Sequence, residues 1–196
     1  MKKKAGVYID GSNIYHGGKK AGWQVDYAKL IAFINRKYEI KLINYYNSVG
    51  YLRGSDGKYI KDATGAYIPN PTTLRFNKLL KANGIRLICK PLKFVKGNEA
   101  IASNKLDGDL MIDALLDSPS WEVLFLLSGD SDFEKLIKQM IIYKKEVCIF
   151  SFVSRISHEL LMLANSCPSV SYIRLEKLKS ILQHEKRTKK ESFPIE

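Results

Sequence analysis

The side chains best suited to do chemistry in this chain are the aspartates of three separate segments. Asp10 opens Asp10-Gly11-Ser12-Asn13, directly after the apolar run Ala5–Ile9. Asp130 and Asp132 stand in Ser128-Gly129-Asp130-Ser131-Asp132-Phe133, directly after Val123–Leu127. Asp107 begins Asp107-Gly108-Asp109-Leu110-Met111-Ile112-Asp113, the start of an unusually apolar helix. In an open parallel sheet, ligands collect beyond the carboxyl ends of the strands. Acidic turns at strand ends can therefore meet there, however far apart they lie in the chain. Carboxylates that converge repel one another, and at neutral pH a cation must offset that repulsion. The chemistry this suits is a Mg²⁺ or Mn²⁺ site that bridges a phosphate.

Each segment also has an ordinary explanation. Asp10 suits an Asp-Gly turn, and Asp130 or Asp132 suits the cap of a helix N-terminus. Two aspartates beside Gly129 exceed what one cap requires. Asp113, in the second helical turn, either faces the site or pairs with a basic residue, and Asp109 reads as exposed or capping. Ser12 and Asn13 either orient the Asp10 carboxylate or present hydroxyl and amide groups to a phosphate. Lys105 either contacts phosphate or balances the carboxylates, and Ser128 joins Ser12 and Lys105 as a substrate-contacting candidate. No P-loop or G-x-G-x-x-G is present. No Ser-His-Asp or Cys-His arrangement competes. His16, His158 and His184 lack zinc spacing. A haloacid-dehalogenase phosphatase needs a second aspartate two residues after the first, and Ser12 holds that place.

The elements that must position these groups alternate. Strand-type runs are expected at 6–9, 42–48, 85–90, 123–128 and 147–152, and helix-period segments at 27–37, 73–82, 108–116, 133–143 and 157–165. Phe133, Leu136, Ile137, Met140 and Ile141 form one apolar stripe, with Ser131 and Glu134 as a capping-box pair at its start. The alternation predicts an α/β fold with a mostly parallel sheet. Leu52–Thr73, rich in glycine and proline, reads as an inserted surface hairpin or loop. The tail, 176–196, reads as a helix followed by the basic run Lys186–Lys190. No internal repeat is found.

Composition adds a partner. The 196 residues suit one domain with a tail, and 45% hydrophobic content is enough for a sizeable core. A net charge of +12 points to a polyanion, most simply nucleic acid. A basic body around an acidic site is what phosphodiester processing needs. Cys89, Cys148 and Cys167 form no CxxC pair and read as reduced thiols in a cytoplasmic setting. The apolar stretch before Asp10 is too short for a signal peptide, and no stretch is long enough to cross a membrane.

Tyr8-Ile9-Asp10-Gly11-Ser12-Asn13, then Asp107-x-x-Leu110-x-x-Asp113, then Leu127-Ser128-Gly129-Asp130-Ser131-Asp132-Phe133 occur in that order. Together they resemble the NYN domain, the LabA-like branch of the PIN-like nucleases, from about Val7 to Leu175. In the family's middle motif a Lys stands three residues before the Asp; here Asn104 holds that place and Lys105 lies one residue closer. The resemblance implies a Rossmann-like three-layer α/β/α sandwich over residues 1–175 and Mg²⁺-dependent cleavage of RNA. On that footing Asp10, Asp107 and Asp130 hold one Mg²⁺ or Mn²⁺, with Asp132 or Asp113 supporting a second. Asn13 and Ser12 position the phosphate or the attacking water. Single-stranded RNA is the expected substrate, with Tyr45, Tyr46, Tyr59 and Tyr67 available to stack on its bases, although burial is the commoner fate for Tyr45 and Tyr46. The alternative is an RNA-binding regulatory module with little or no turnover, and a homodimer is compatible with either.

Overall fold

The computed structural model describes residues 1–91, 93–94, 100–101 and 106–184. Six strands form its central sheet: β1 (Lys3–Asp10), β2 (Tyr38–Val49), β3 (Arg86–Pro91), β6 (Val123–Leu127), β7 (Glu146–Ser151) and β8 (Val170–Arg174). A separate antiparallel pair, β4 (Lys93–Phe94) and β5 (Ala100–Ile101), lies between β3 and β6 in the chain. The sheet order is β3-β2-β1-β6-β7-β8, and every neighbouring pair is parallel. A parallel sheet is covered on both faces, which is why β6 reads Val-Leu-Phe-Leu-Leu and is buried throughout.

Helices form the two outer layers. On one side α1 (Gly11–Ala21), α2 (Tyr27–Asn35) and α3 (Pro71–Ala82) pack Ile14, Leu30, Ile34 and Leu80 against Val7, Ile9, Val123 and Phe125. On the other, α4 (Asp107–Asp117), α5 (Glu134–Ile142) and α6 (His158–Ser166) pack Leu110, Leu136, Ile137 and Leu160 against Tyr8, Leu124 and Leu126. The fold is the expected α/β/α sandwich. The chain winds outward from β1 to β3, returns to β6 beside β1, and winds outward the other way to β8. The switch point lies between β1 and β6, where a crevice opens.

Two elements differ from expectation. A turn was expected at Asp10-Gly11 and no helix before residue 27, but Gly11–Ala21 form α1. Three glycines lower their helix propensity, but the glycines allow close packing. A Cβ on Gly17 would lie 2.5 Å from the Phe152 ring, so only glycine lets α1 settle there. Strand β8 went unpredicted because its exposed edge dilutes the apolar pattern. The helix after β6 also begins differently. A 3-10 turn, Ser131–Phe133, precedes α5, and its cap is Asp130, not Ser131.

The tail packs back as far as it is described. Leu175 and Leu182 are fully buried beside α2, in a 3-10 turn (Leu175–Leu178) and a short helix α7 (Lys179–Leu182). The Asp26 amide donates to the Leu182 carbonyl at 2.8 Å. Lys186–Lys190 lies outside the described residues. Among those described, no helix is long and apolar enough to cross a membrane.

The insertion, expected as a hairpin or loop without internal repeat, contains a repeat after all. Tyr51-Leu52-Arg53, Tyr59-Ile60-Lys61 and Tyr67-Ile68-Pro69 are three copies of one short strand. Ile60 N–H donates to Leu52 O, Ile68 N–H to Ile60 O, and Leu52 N–H to Ile68 O, at 2.8–3.0 Å, closing a ring of three. Gly54 N–H to Lys58 O, Asp62 N–H to Ala66 O and Asn70 N–H to Gly50 O repeat the second bond in each copy. Changes of residue type within each copy hide the period from a scan for identity.

Candidate active site

The register brings Ile9 opposite Leu127, so Asp10 and Ser128 leave adjacent strand ends together. Asp10 caps α1, its Oδ1 accepting the Asn13 amide at 3.0 Å, while Oδ2 accepts the Ser128 hydroxyl at 2.9 Å. The Ser128 oxygen in turn accepts the Asp130 amide at 3.2 Å, and Asn13 Oδ1 accepts the Gly129 amide at 3.3 Å. Asp130 caps the next turn by accepting the Asp132 amide at 3.0 Å. The two motifs are thus one clasp, and the capping role and the site role coexist. Each aspartate uses one oxygen to hold a helix start at the crevice mouth. Helix N-termini carry partial positive charge and exposed amides, which also suits a phosphate.

Burial pushes the Asp10 carboxyl up to about 6, from an ordinary 3.8. The Asn13 amide and Ser128 hydroxyl oppose that rise, and the charges of Asp107 and Asp130 add to it. Three carboxylates from β1, α4 and the β6 loop therefore share one electrostatic neighbourhood. Asp10, Asp107 and Asp130 line one crevice of about 850 Å³. Tyr27, Tyr45, Tyr46 and Phe76 line the same crevice, beside Asn47 and Thr73. Burial raises the phenols of Tyr45 and Tyr46, so both stay neutral there.

The NYN domain matches this chain over residues 4–173. The chain belongs to the NYN domain family. NYN domains are PIN-like and form a nuclease family that acts on nucleic acid. The low amplitude and bright protein LabA of Synechococcus elongatus is 24% identical over 185 residues, spanning 92% of this chain and 88% of that protein. A crystal structure of a Vibrio parahaemolyticus protein of unknown function superposes with a TM-score of 0.66 at 18% identity, covering 93% of this chain and 97% of its own. That likeness concerns the fold.

Within this NYN domain, Ser12 and Asn13 line the crevice with the three aspartates, and buried Ser128 supports Asp10 from behind. Asp132 and Asp113 are not among the lining residues. Asp132 lies exposed in the 3-10 turn that Asp130 caps. Asp113 accepts the Tyr46 hydroxyl at 2.8 Å, and Asp117, one turn on, accepts that of Tyr8 at 3.0 Å. The acidic side of α4 thus serves two tyrosines of the sheet. Asp109 pairs with Lys90. Lys105 lies outside the described residues. Sequence reasoning missed His16, Phe76 and Arg155 as lining residues. His16 follows Asn13 by three residues and reaches the crevice because residues 11–21 are a helix. Nothing local marked Phe76 or Arg155.

The donors suit a hard cation in kind: carboxylate oxygens, with a hydroxyl and an amide beside them. Mg²⁺ keeps several waters and takes only one or two carboxylates. Among the described residues, no three His, Cys, Asp or Glu groups form a ready metal cage. The site therefore fits an ion held by few protein ligands and by substrate, not a closed structural one. Ser128→Ala tests the clasp. Losing the hydroxyl that stabilises the Asp10 carboxylate should raise the Asp10 pKa further, read by NMR titration of metal-free protein; an unchanged value would remove Ser128 from this role.

Proposed function

We propose that this NYN domain is a metal-dependent ribonuclease that cleaves single-stranded RNA internally. What carries the proposal is the convergence of Asp10, Asp107 and Asp130 in one crevice at the switch point of a basic protein. One or two of those three would bind Mg²⁺ or Mn²⁺ directly and the rest through its waters, and the ion would supply charge neutralisation for phosphate and an activated water. Ser12 and Asn13 stand where the first turn of α1 meets the crevice, and there they orient the scissile phosphate. Ser128 and the Asn13 amide keep the Asp10 carboxylate aimed and ionised. Tyr27, Tyr45 and Tyr46 form the buried wall of the crevice and support the site instead of stacking on bases. Asp132 and Asp113 act at a remove, as rim charge and as a support for Tyr46.

Purified protein should cut unstructured RNA with Mg²⁺ or Mn²⁺, and EDTA should stop it. Asp107→Asn and Asp130→Asn should each lose about 100-fold or more in rate, whereas Asp113→Asn should stay within about ten-fold while weakening the fold. Equal cleavage by Asp107→Asn and Asp130→Asn would mean that a contaminant is cutting. One observation favours a second reading, an RNA-binding module: both Asp10 oxygens already accept hydrogen bonds within the clasp. That reading expects salt-sensitive RNA binding with no turnover under any divalent ion.

A further inference from the structure

We propose that the Gly50–Asn70 insertion is a docking module for single-stranded RNA, gripping the strand beside the crevice through Arg53 and Lys61. The inference rests on the ribonuclease reading for its partner, but on different residues.

The module is self-contained. Its three strands close on one another through a ring of backbone bonds, and its entry and exit meet where the Asn70 amide donates to the Gly50 carbonyl at 2.9 Å. Its interior is its own. Tyr51, Tyr59 and Tyr67 pack with ring centroids 5.5–6.3 Å apart. The six-stranded sheet forms no ladder with it. A unit that closes on itself in this way is not needed to complete the main core.

Its placement and surface point to RNA. Gly50 and Asn70, with Thr72 and Thr73 just beyond, line the crevice that holds Asp10, Asp107 and Asp130. The Arg53 guanidinium lies 4.5 Å from the Tyr59 ring centroid, and the Lys61 ammonium lies 4.8 Å from that of Tyr67. Arg53 also donates to the Tyr59 hydroxyl at 2.6 Å. A cation seated on a ring is held in place before its ligand arrives, so less side-chain entropy is lost on binding. A guanidinium plane is also a surface on which an unpaired base stacks. The module's two acids, Asp56 and Asp62, are exposed but engaged in their own turns: Asp62 accepts from Thr64 and Ala66, and Asp56 from the Lys58 amide. The cations seated on the two rings, Arg53 and Lys61, are themselves exposed. Helix α3, which starts directly after Asn70, exposes Arg75, Lys78 and Lys81 and carries no acidic residue. Aromatic-backed cations favour splayed single strands over duplex, whose bases are stacked away.

The experiment measures RNA binding by fluorescence anisotropy, in an Asp10→Asn background so that nothing is cleaved. Two changes are compared with that parent: Arg53→Gln with Lys61→Gln, and replacement of residues 51–69 by a two-residue Asn-Gly turn between Gly50 and Asn70. Both should weaken binding of labelled oligouridine about ten-fold at low salt. Both should also flatten the log–log salt dependence by about 1.4, the value for two lost phosphate contacts on a single strand. A hairpin duplex should bind all three proteins alike. Parent-like affinity and slope for oligouridine in both variants would overturn the docking module and leave the ribonuclease reading intact. A parent that binds no RNA overturns both.

Discussion

Asp10→Asn should abolish cleavage and make the metal-free protein more stable. The loss of activity follows from the position of Asp10 at the centre of the clasp, bonded to both motifs and close to Asp107 and Asp130. Losing a preorganised charged group of this kind costs about 100- to 1000-fold in rate. The gain in stability has a separate cause. In the folded chain the Asp10 carboxyl is pushed up to about 6, against an ordinary 3.8, so ionising it in place is unfavourable. Asparagine is uncharged, has nearly the same shape, and caps a helix as well as aspartate does. Its amide replaces an acceptor opposite the Ser128 hydroxyl, which must turn to accept, so part of the gain is lost. A net gain of about 1–2 kcal/mol remains, or roughly 2–8 °C in Tm for a chain of this size. Thermal melts in EDTA at pH 8, set beside cleavage assays, read both halves. A destabilised Asp10→Asn protein would show that the carboxylate is held by attraction and not strained by burial.

The pH dependence of that gain has a fixed sign. A carboxyl whose folded pKa lies above its unfolded one favours the folded state when protonated. The penalty is therefore absent below about 3.8, grows through the interval up to about 6, and is complete above it. The Tm difference between Asp10→Asn and wild type should shrink toward zero as pH falls toward 4. Divalent-ion affinity should fall over the same interval, because a ligating carboxylate must give up its proton.

Much of this was legible from residue types. Val123–Leu127 is apolar without interruption and could only be a strand covered on both faces, so the carboxyl-end placement of Ser128–Asp132 followed. The Asp10 motif was placed the same way. What escaped were features decided by tertiary contact. Helix α1 has poor local propensity and forms because Gly17 lets it lie against Phe152. The partner of Asp113 escaped as well: its register on α4 was right, but that register gives the face and not the neighbour, and the neighbour is Tyr46. The insertion's threefold repeat shows only when the backbone bonds are laid side by side, since Arg53, Lys61 and Pro69 occupy equivalent places with different chemistry.

Gly129→Ala should damage both stability and catalysis, although it adds a single carbon beside the site. A Cβ there would lie 2.4 Å from the Arg155 carbonyl oxygen and 2.5 Å from the hydroxyl of fully buried Ser151. A backbone carbonyl cannot rotate aside as a side chain can, so the loop itself must move. That loop is tied on both sides: the Gly129 amide donates to Asn13, and its carbonyl accepts the Ser157 amide at 2.8 Å, at the start of α6. Overpacking of this sort costs about 1–3 kcal/mol, a drop of roughly 2–12 °C in Tm. The shift passes directly to Ser128 and Asp130, and misplacement by about an ångström can cost 100-fold in rate. Gly108→Ala is the matched control. It makes the same change beside Asp107, but nothing lies within 4 Å of the added carbon. On a helix such a change stabilises by about 0.5–1 kcal/mol, and cleavage should persist. If Gly129→Ala cut RNA as fast as Gly108→Ala, the distance between the two motifs would not govern the chemistry, and the clasp would be no more than a structural staple.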